Sequence, residues 1–245
     1  RIGDKDDCCY YDTFQNDNGD FDLFSYDLYL HFKQSAPEFE QLAAVEAGGS
    51  GFSVRYGSSP AKPLHSEYVS GNYFSTLGVG AYAGRLLIES DDKPGAAPAL
   101  VLNYQTWQAD FAGDPRIVGA TVYLDTHPYT VAGIAPPGFF GDRVVSRPPE
   151  IWLPLSSEAT SEGANTSVNQ ADTDWLYALG RLRPGVDRGT LQAKLSVVLR
   201  QWLVTRPRYT EHGGSAVIPS SMWFSRLPAA AYRSCSSRPA RVCGC

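Results

Sequence analysis

The longest apolar run in this chain, residues 96–102, is seven residues long and carries Pro98 inside it. A bilayer-crossing helix needs about 20 consecutive apolar residues, so no segment of this sequence reads as one. The apolar residues, 43% of the 245, must cover a core built from many short elements. That content excludes wholesale disorder, and the length suits one large domain or two small ones. The chain opens at Arg1 with neither a Met nor a basic-then-apolar leader, which reads as an excised or mature segment.

Charge and cysteine divide the chain in three. Residues 1–22 carry −5, residues 23–219 carry −4 and residues 220–245 carry +4, giving the net −5. A nucleic-acid binder shows a basic face, and none is expected here. Cys8 and Cys9 lie in the acidic head and Cys235, Cys243 and Cys245 in the basic tail. The body between them has none, so its fold needs no disulfide or thiolate metal site.

Local patterns place the elements of the body. Ser25 caps a helix over residues 26–34. Ser35-Ala36-Pro37-Glu38 has a capping-box pattern and predicts a second short helix carrying Phe39, Leu42 and Ala43. Phe52, Val54 and Tyr56 alternate as a strand, with residues 64–69 as its partner. Residues 70–78 read as one or two helical turns closed by Gly78. Residues 99–102 form a buried strand, and Asn103 caps a helix bearing Trp107 and Phe111. Residues 121–124 and 129–134 flank Asp125-Thr126-His127-Pro128 as a hairpin with a four-residue turn. Residues 151–153 make another strand, residues 156–174 an exposed loop, and residues 175–181 a further strand. Asp187 caps a helix with Leu191, Leu195, Val198, Leu199, Trp202 and Leu203 on one stripe, ended by Pro207. Helices and strands without strict alternation define an α+β class.

Residues that could carry chemistry are few. The glycines around Ser50 stand at 48, 49 and 51, which fails the spacing of a hydrolase nucleophile elbow. His31, His65, His127 and His212 are scattered, with no pair spaced for zinc. Asn16-Asp17-Asn18-Gly19-Asp20 resembles part of a calcium loop, but the alignment puts Phe14 and Ser25 where the strongest carboxylate ligands belong. Cys8-Cys9 lacks the geometry of a redox pair. Asp91-Asp92 and Asp172/Asp174 read as solvated loop acids rather than a glycosidase pair. No phosphate-binding loop occurs, and Asn165-Thr166-Ser167 fits a glycosylation sequon only by its three residues. No catalytic, cofactor-binding or metal-ligating residue is therefore assigned.

One ordered set of motifs is more specific than any of these. It begins with Val69-Ser70-Gly71-Asn72-Tyr73-Phe74-Ser75-Thr76-Leu77-Gly78-Val79, then Gly84-Arg85-Leu86, Asp91-Asp92 and Leu102-Asn103-Tyr104 with Trp107. Phe111-Ala112-Gly113-Asp114-Pro115 and Val118-Gly119 follow, then Tyr129-Thr130-Val131-Ala132-Gly133-Ile134-Ala135-Pro136-Pro137-Gly138-Phe139. Trp152-Leu153-Pro154-Leu155 and Gly180-Arg181-Leu182-Arg183-Pro184-Gly185-Val186 close it. From about residue 21 to residue 203 the chain resembles the MacB-type periplasmic core domain of FtsX-like ABC transporter permeases, especially the long bacterial permeases with duplicated halves.

The resemblance implies a periplasmic module on the outer face of the bacterial inner membrane, inserted after the first membrane helix of a permease. It implies an α/β porter-like lobe, residues 21–80 and 175–206, and a β-rich sabre-like lobe, residues 81–174, with residues 1–20 an acidic N-terminal segment and residues 207–245 a tail. It implies no catalysis and no cofactor. Export would be driven by mechanotransmission from the membrane helices of the full permease and a separate cytoplasmic ATPase, with a second permease half or a periplasmic partner as further contacts. The contrasting expectation is a secreted carbohydrate-binding module or hydrolase using exposed Trp and Asp. Burial of Trp107, Trp152 and Trp175 separates the two, since large buried aromatics are core.

The tail departs from this pattern. After Pro219 the composition turns to Ser, Arg, Ala and Cys, with the only Met and no usable apolar period. Codons exist for which starting one nucleotide earlier reads (K/Q/E)QHVVLTPAGGGIQILQQQTGEGLRV, a natural approach to a membrane helix. Residues 220–245 are therefore expected to be non-native, the product of a one-nucleotide frameshift near Pro219. That would also account for the lack of a following membrane helix and for the crowding of three cysteines in the last eleven residues.

Overall fold

Ser25 opens the first helix of the body as its pattern predicts: its hydroxyl accepts from the Leu28 N–H at 3.3 Å and starts α1 (Tyr26–Ser35). The computed structural model describes residues 23–171 and 173–205, and the backbone of residues 2–4 and 222–224. The strands are β1 (Ile2–Asp4), β2 (Phe39–Glu46), β3 (Ser50–Arg55), β4 (Lys62–Val69), β5 (Ala83–Gly84), β6 (Ala99–Leu102), β7 (Thr121–Leu124), β8 (His127–Ile134), β9 (Ile151–Pro154), β10 (Leu176–Leu182) and β11 (Met222–Phe224). The other helices are α2 (Tyr73–Leu77), α3 (Tyr104–Asp110), α4 (Glu158–Glu162) and α5 (Arg188–Leu203). The class is α+β.

The strands join into one sheet in the order β11-β1-β10-β2-β4-β3-β7-β8-β6-β9, with β5 added to β8. Its far end closes on itself. β9 pairs parallel with β4 as well as antiparallel with β6, so β4, β3, β7, β8, β6 and β9 form a closed barrel. Closure removes the exposed edges that an open sheet would leave.

The open part of the sheet is covered on both faces. Leu42 and Ala44 of β2 and Leu176 and Ala178 of β10 face α1 and α5, in the core that continues through the barrel. Ala43 and Val45, with Tyr177 and Leu179, face the other way, toward α2, Phe139 and Trp152. Strands buried on both faces lose the apolar–polar alternation that identifies half-buried ones.

This corrects the helix expected over Phe39, Leu42 and Ala43. The segment is β2, because Ser35 ends α1 instead of capping a new helix. The hairpin also differs: Leu124 pairs with His127, leaving a two-residue turn at Asp125-Thr126. Asp125 takes the left-handed conformation (φ 52°), and its carboxylate accepts from the Ser53 N–H at 3.0 Å, tying the tip to β3. Residues 156–174 are no simple exposed loop. They wind through short helical turns around α4, with Ser157, Glu158, Thr166 and Asp174 buried.

Other expectations hold. Asn103 caps α3 through the Gln105 N–H at 2.9 Å, and Asp187 caps α5 through the Thr190 N–H at 2.8 Å. Gly78 closes α2 at φ 74°, the left-handed C-terminal position that suits glycine. Pro207 lies outside the described residues. Among those described, no helix is long and apolar enough to cross a membrane.

Candidate functional site at the junction of sheet and barrel

β2 passes into β3 through Ala47-Gly48-Gly49, and β4 pairs with both: Val69 with Val45 of β2, and Ser66 with Ser50 of β3. At this crossover from open sheet to barrel, Glu46 and Glu67 lie on neighbouring strands. Residues 135–150, between β8 and β9, bring Asp142 and Arg143 over them.

The geometry is that of a buried ionic cluster. The Arg143 Nη2 donates to Glu67 Oε1 at 2.8 Å and to the Glu46 carbonyl at 2.8 Å. Its guanidinium lies 4.4 Å from the centroid of the Tyr177 ring on β10. The indole N–H of Trp152 on β9 donates to Glu67 Oε2 at 3.3 Å. Asp142 Oδ2 stands 3.4 Å from Arg143 Nε, and the Tyr73 hydroxyl on α2 donates to Asp142 Oδ1 at 3.4 Å. One cation thus joins strands β2, β4 and β10 to a segment from the middle of the chain.

Burial sets the electrostatics. Loss of solvent pushes the Glu67 carboxyl up to about 8, with the Asp142 charge adding and Arg143 opposing. Burial likewise pushes Glu46 up to about 7, opposed by donation from the Tyr68 N–H at 3.0 Å and the Ser50 hydroxyl at 2.8 Å. Glu67 and Asp142 more than offset the effect of burial on Arg143, whose proton is held more tightly than usual.

Beside the cluster lies a cavity of about 250 Å³, lined among others by Glu46, Ser50, Tyr68, Glu158 and Trp175. Glu158 is occupied in holding its own loop, accepting from the Thr166 hydroxyl and from the Ser167 N–H at 2.8 Å.

Asp91 and Asp92, singled out in the sequence, are each engaged by nearby donors. Asp91 holds Arg85 at 2.5 Å and accepts from the Ile88 N–H at 2.9 Å. Asp92, read as a solvated loop acid, accepts instead from the Gly71 N–H at 3.0 Å and the Ser156 N–H at 2.7 Å, so it staples the start of α2 to the end of β9. Asp174 is buried. Trp107, Trp152, Trp175 and Trp202 are all buried, so none of these four forms the exposed platform a sugar-binding module needs. Among the described residues no group of three His, Cys, Asp or Glu is placed to hold a metal ion. Cys8, Cys9, residues 16–20, Asp172, His212 and the tail cysteines lie outside the described residues.

Sequence reading missed Glu46, Glu67, Asp142 and Arg143. The available signal was an acid inside an apolar strand: Glu46 follows Ala43-Ala44-Val45, and Glu67 precedes Tyr68-Val69.

Solved structures share this fold. The periplasmic region of MacB from Actinobacillus actinomycetemcomitans matches with a TM-score of 0.58 at 15% identity, over 82% of each chain. The extracellular domain of the noncanonic ABC-type transporter YknZ from Gram-positive bacteria matches with a TM-score of 0.52 at 13% identity, over 88% of this chain and 95% of that one. No curated protein matches. The family model of the MacB-like periplasmic core domain matches residues 4–198, and the chain belongs to that family.

Proposed function

We propose that this domain works on the extracytoplasmic face of an ABC transporter permease, coupling movement of the membrane helices to substrate export by mechanotransmission. The observation that supports this most directly is the continuity of the sheet. β10 pairs with β1 on one side and over seven residues with β2 on the other, from Leu176 with Glu46 to Leu182 with Phe39. From β1 hydrogen-bonded strands run through β10, β2 and β4 into the barrel. A displacement applied at β1 is carried along a path of paired strands rather than flexible loops. Membrane helices of the permease and a separate ATPase are the partners this reading requires, and a second permease half is compatible with it.

The division into a porter-like lobe, residues 21–80 and 175–206, and a sabre-like lobe, residues 81–174, belongs to the same proposal. In it β3 and β4 of the first lobe complete the barrel with β6 to β9 of the second. The domain is read as non-catalytic, because Glu46, Glu67, Asp92 and Glu158 are each engaged by neighbouring donors.

The test uses the intact permease with its ATPase. Excising residues 23–203 should abolish export while ATP hydrolysis continues. Undiminished export by the excised permease would overturn the reading. The isolated domain should show no nucleotide-dependent rise in melting temperature, since a ligand that binds the folded state must raise apparent stability.

Residues 220–245 are proposed to be frameshifted. Met222–Phe224 forms a strand against β1, and the earlier frame places the strand-forming run HVV at the same three positions. The remainder of the tail lies outside the described residues. Resequencing the locus decides the matter, and stop codons across the earlier frame would refute it.

A further inference from the structure

Residues 136–149 cross the ionic cluster as a strap without helix or strand. Among the described residues, no backbone hydrogen bond joins residues 140–148 to another element. The ends are fixed: the Ala135 N–H donates to the Leu102 carbonyl at 2.8 Å, and the Asn103 side-chain amide donates to the Pro149 carbonyl at 3.0 Å. Between them the strap is held by side chains. Phe139 packs on Phe74 and Trp152 with ring centroids 5.7 and 5.2 Å apart. Asp142 and Arg143 add the buried ion pairs, Arg147 stands 3.6 Å from Glu150, and Val144 is 93% exposed.

The charges in this latch do not balance. Glu67 and Asp142, with side chains 7% and 0% exposed, share the single guanidinium of Arg143. Asp142 Oδ2 is buried without a hydrogen-bond partner. The other described groups facing the cluster add no cation: Tyr73 from α2, Tyr177 from β10, Trp152 from β9 and Glu46 from β2, with Glu158 of α4 acting on Glu46 from behind. Two buried carboxylates around one cation carry an excess charge that a low-dielectric site does not tolerate, and a proton is the neutraliser that needs no further partner.

We propose that the strap of residues 136–149 closes over the sheet with uptake of one proton at Glu67, where Asp142 shares its single guanidinium, so that rising pH unlatches it. Opening would let solvent reach both carboxylates and uncover the aromatic face of Phe74 and Trp152. The upward displacement of Glu67 by burial and by Asp142 agrees with this direction, since a group that binds its proton more tightly in the closed form ties closure to protonation.

Limited trypsin digestion of the chain tests it. The bond after Arg143 is cut only when the strap opens, because the closed form leaves that side chain 19% exposed. Cutting is measured from pH 6 to 8.5 and divided by the rate on a free peptide of residues 138–147, which cancels the pH profile of the protease. The normalised rate should rise at least ~10-fold over this range, given up to tenfold per pH unit for one linked proton. In Glu67→Gln and in Asp142→Asn it should be flat; the second substitution sits on the strap and keeps the test usable if the first impairs folding. A flat wild-type profile, or wild-type slopes in the folded variants, would overturn the proposal. So would an equal rise in cutting after Lys194 on α5, which would mean that the whole domain opens.

Discussion

Gly180 on β10 lies directly beneath the ring of Phe39 at the start of β2, so close that a Cβ at position 180 would overlap the ring edge. The contact sits where the β10–β2 register shifts, between Arg181 and Leu182. It gives the glycine of the Gly-Arg-Leu-x-Pro-Gly motif a packing reason: the aromatic ring takes the space of a side chain.

Gly180→Ala should therefore destabilise the domain by about 1–3 kcal/mol, the usual cost of overpacking. In urea the midpoint should fall with little change in slope. Adding Phe39→Leu should recover part of the loss. An unchanged midpoint for the single variant would show that the ring moves aside freely.

Asn103 does two jobs from one buried position. Its side-chain oxygen accepts from the Gln105 N–H at 2.9 Å to cap α3, while its amide donates to the Pro149 carbonyl at 3.0 Å. Asn103→Ala should cost about 1–3 kcal/mol, combining a lost cap with an unsatisfied buried carbonyl. Asn103→Ser keeps a capping oxygen and loses the donor to Pro149, so its midpoint should fall between wild type and alanine. Equal losses for the two variants would assign the whole effect to the Pro149 contact.

Much of the fold was legible because its signals are local. Ser25, Asn103 and Asp187 each announce a helix start, and Gly78 a helix end, through a single side chain or its absence. β3 alternates because one face of it is exposed. β2 was misread for the opposite reason: with helices α1 and α5 on one face and α2 on the other, Leu42-Ala43-Ala44-Val45 is buried throughout and shows no alternation to oppose the capping-box pattern of Ser35-Ala36-Pro37-Glu38. The junction was illegible because Glu46, Glu67 and Arg143 stand up to 97 residues apart. Only pairing of β4 with both β2 and β9 brings them together. The same holds for Asp92, whose two backbone donors come from either side of it, 21 and 64 residues away.

Trp152 is fully buried where the barrel meets the open sheet, touching Phe74 and Phe139 while donating to Glu67. Trp152→Ala should cost about 3–5 kcal/mol through the cavity left behind. Trp152→Phe should cost less, retaining most of the ring and losing the hydrogen bond. A smaller loss for alanine than for phenylalanine in urea melts would contradict this placement in the core.

Three carboxylates raised by burial, Glu67, Glu46 and Asp92, set one direction of the pH dependence. Glu67 and Glu46 bind protons more tightly in the folded chain than in the unfolded one, where both titrate near the ordinary carboxylate value of 4.5. Across the window from about 4.5 to about 8 the folded state therefore holds more protons, and stability falls as pH rises, by about 1.4 kcal/mol per pH unit for each fully linked proton. Their unfavourable contribution is absent below the window and complete above it. Glu38, held low by Lys194, Asp114, held low by Arg116, and Asp187, held low by the Thr190 N–H, act in the opposite sense. Their stabilisation is present above the usual carboxylate range and lost as pH drops through their lowered values. Together these groups place maximum stability on the acid side of neutrality. Urea midpoints from pH 4 to 8.5 should show that maximum, and Glu67→Gln should flatten the descent above it. A midpoint that climbs steadily to pH 8 would mean that Glu67 and Glu46 are ionised in the folded chain at neutral pH.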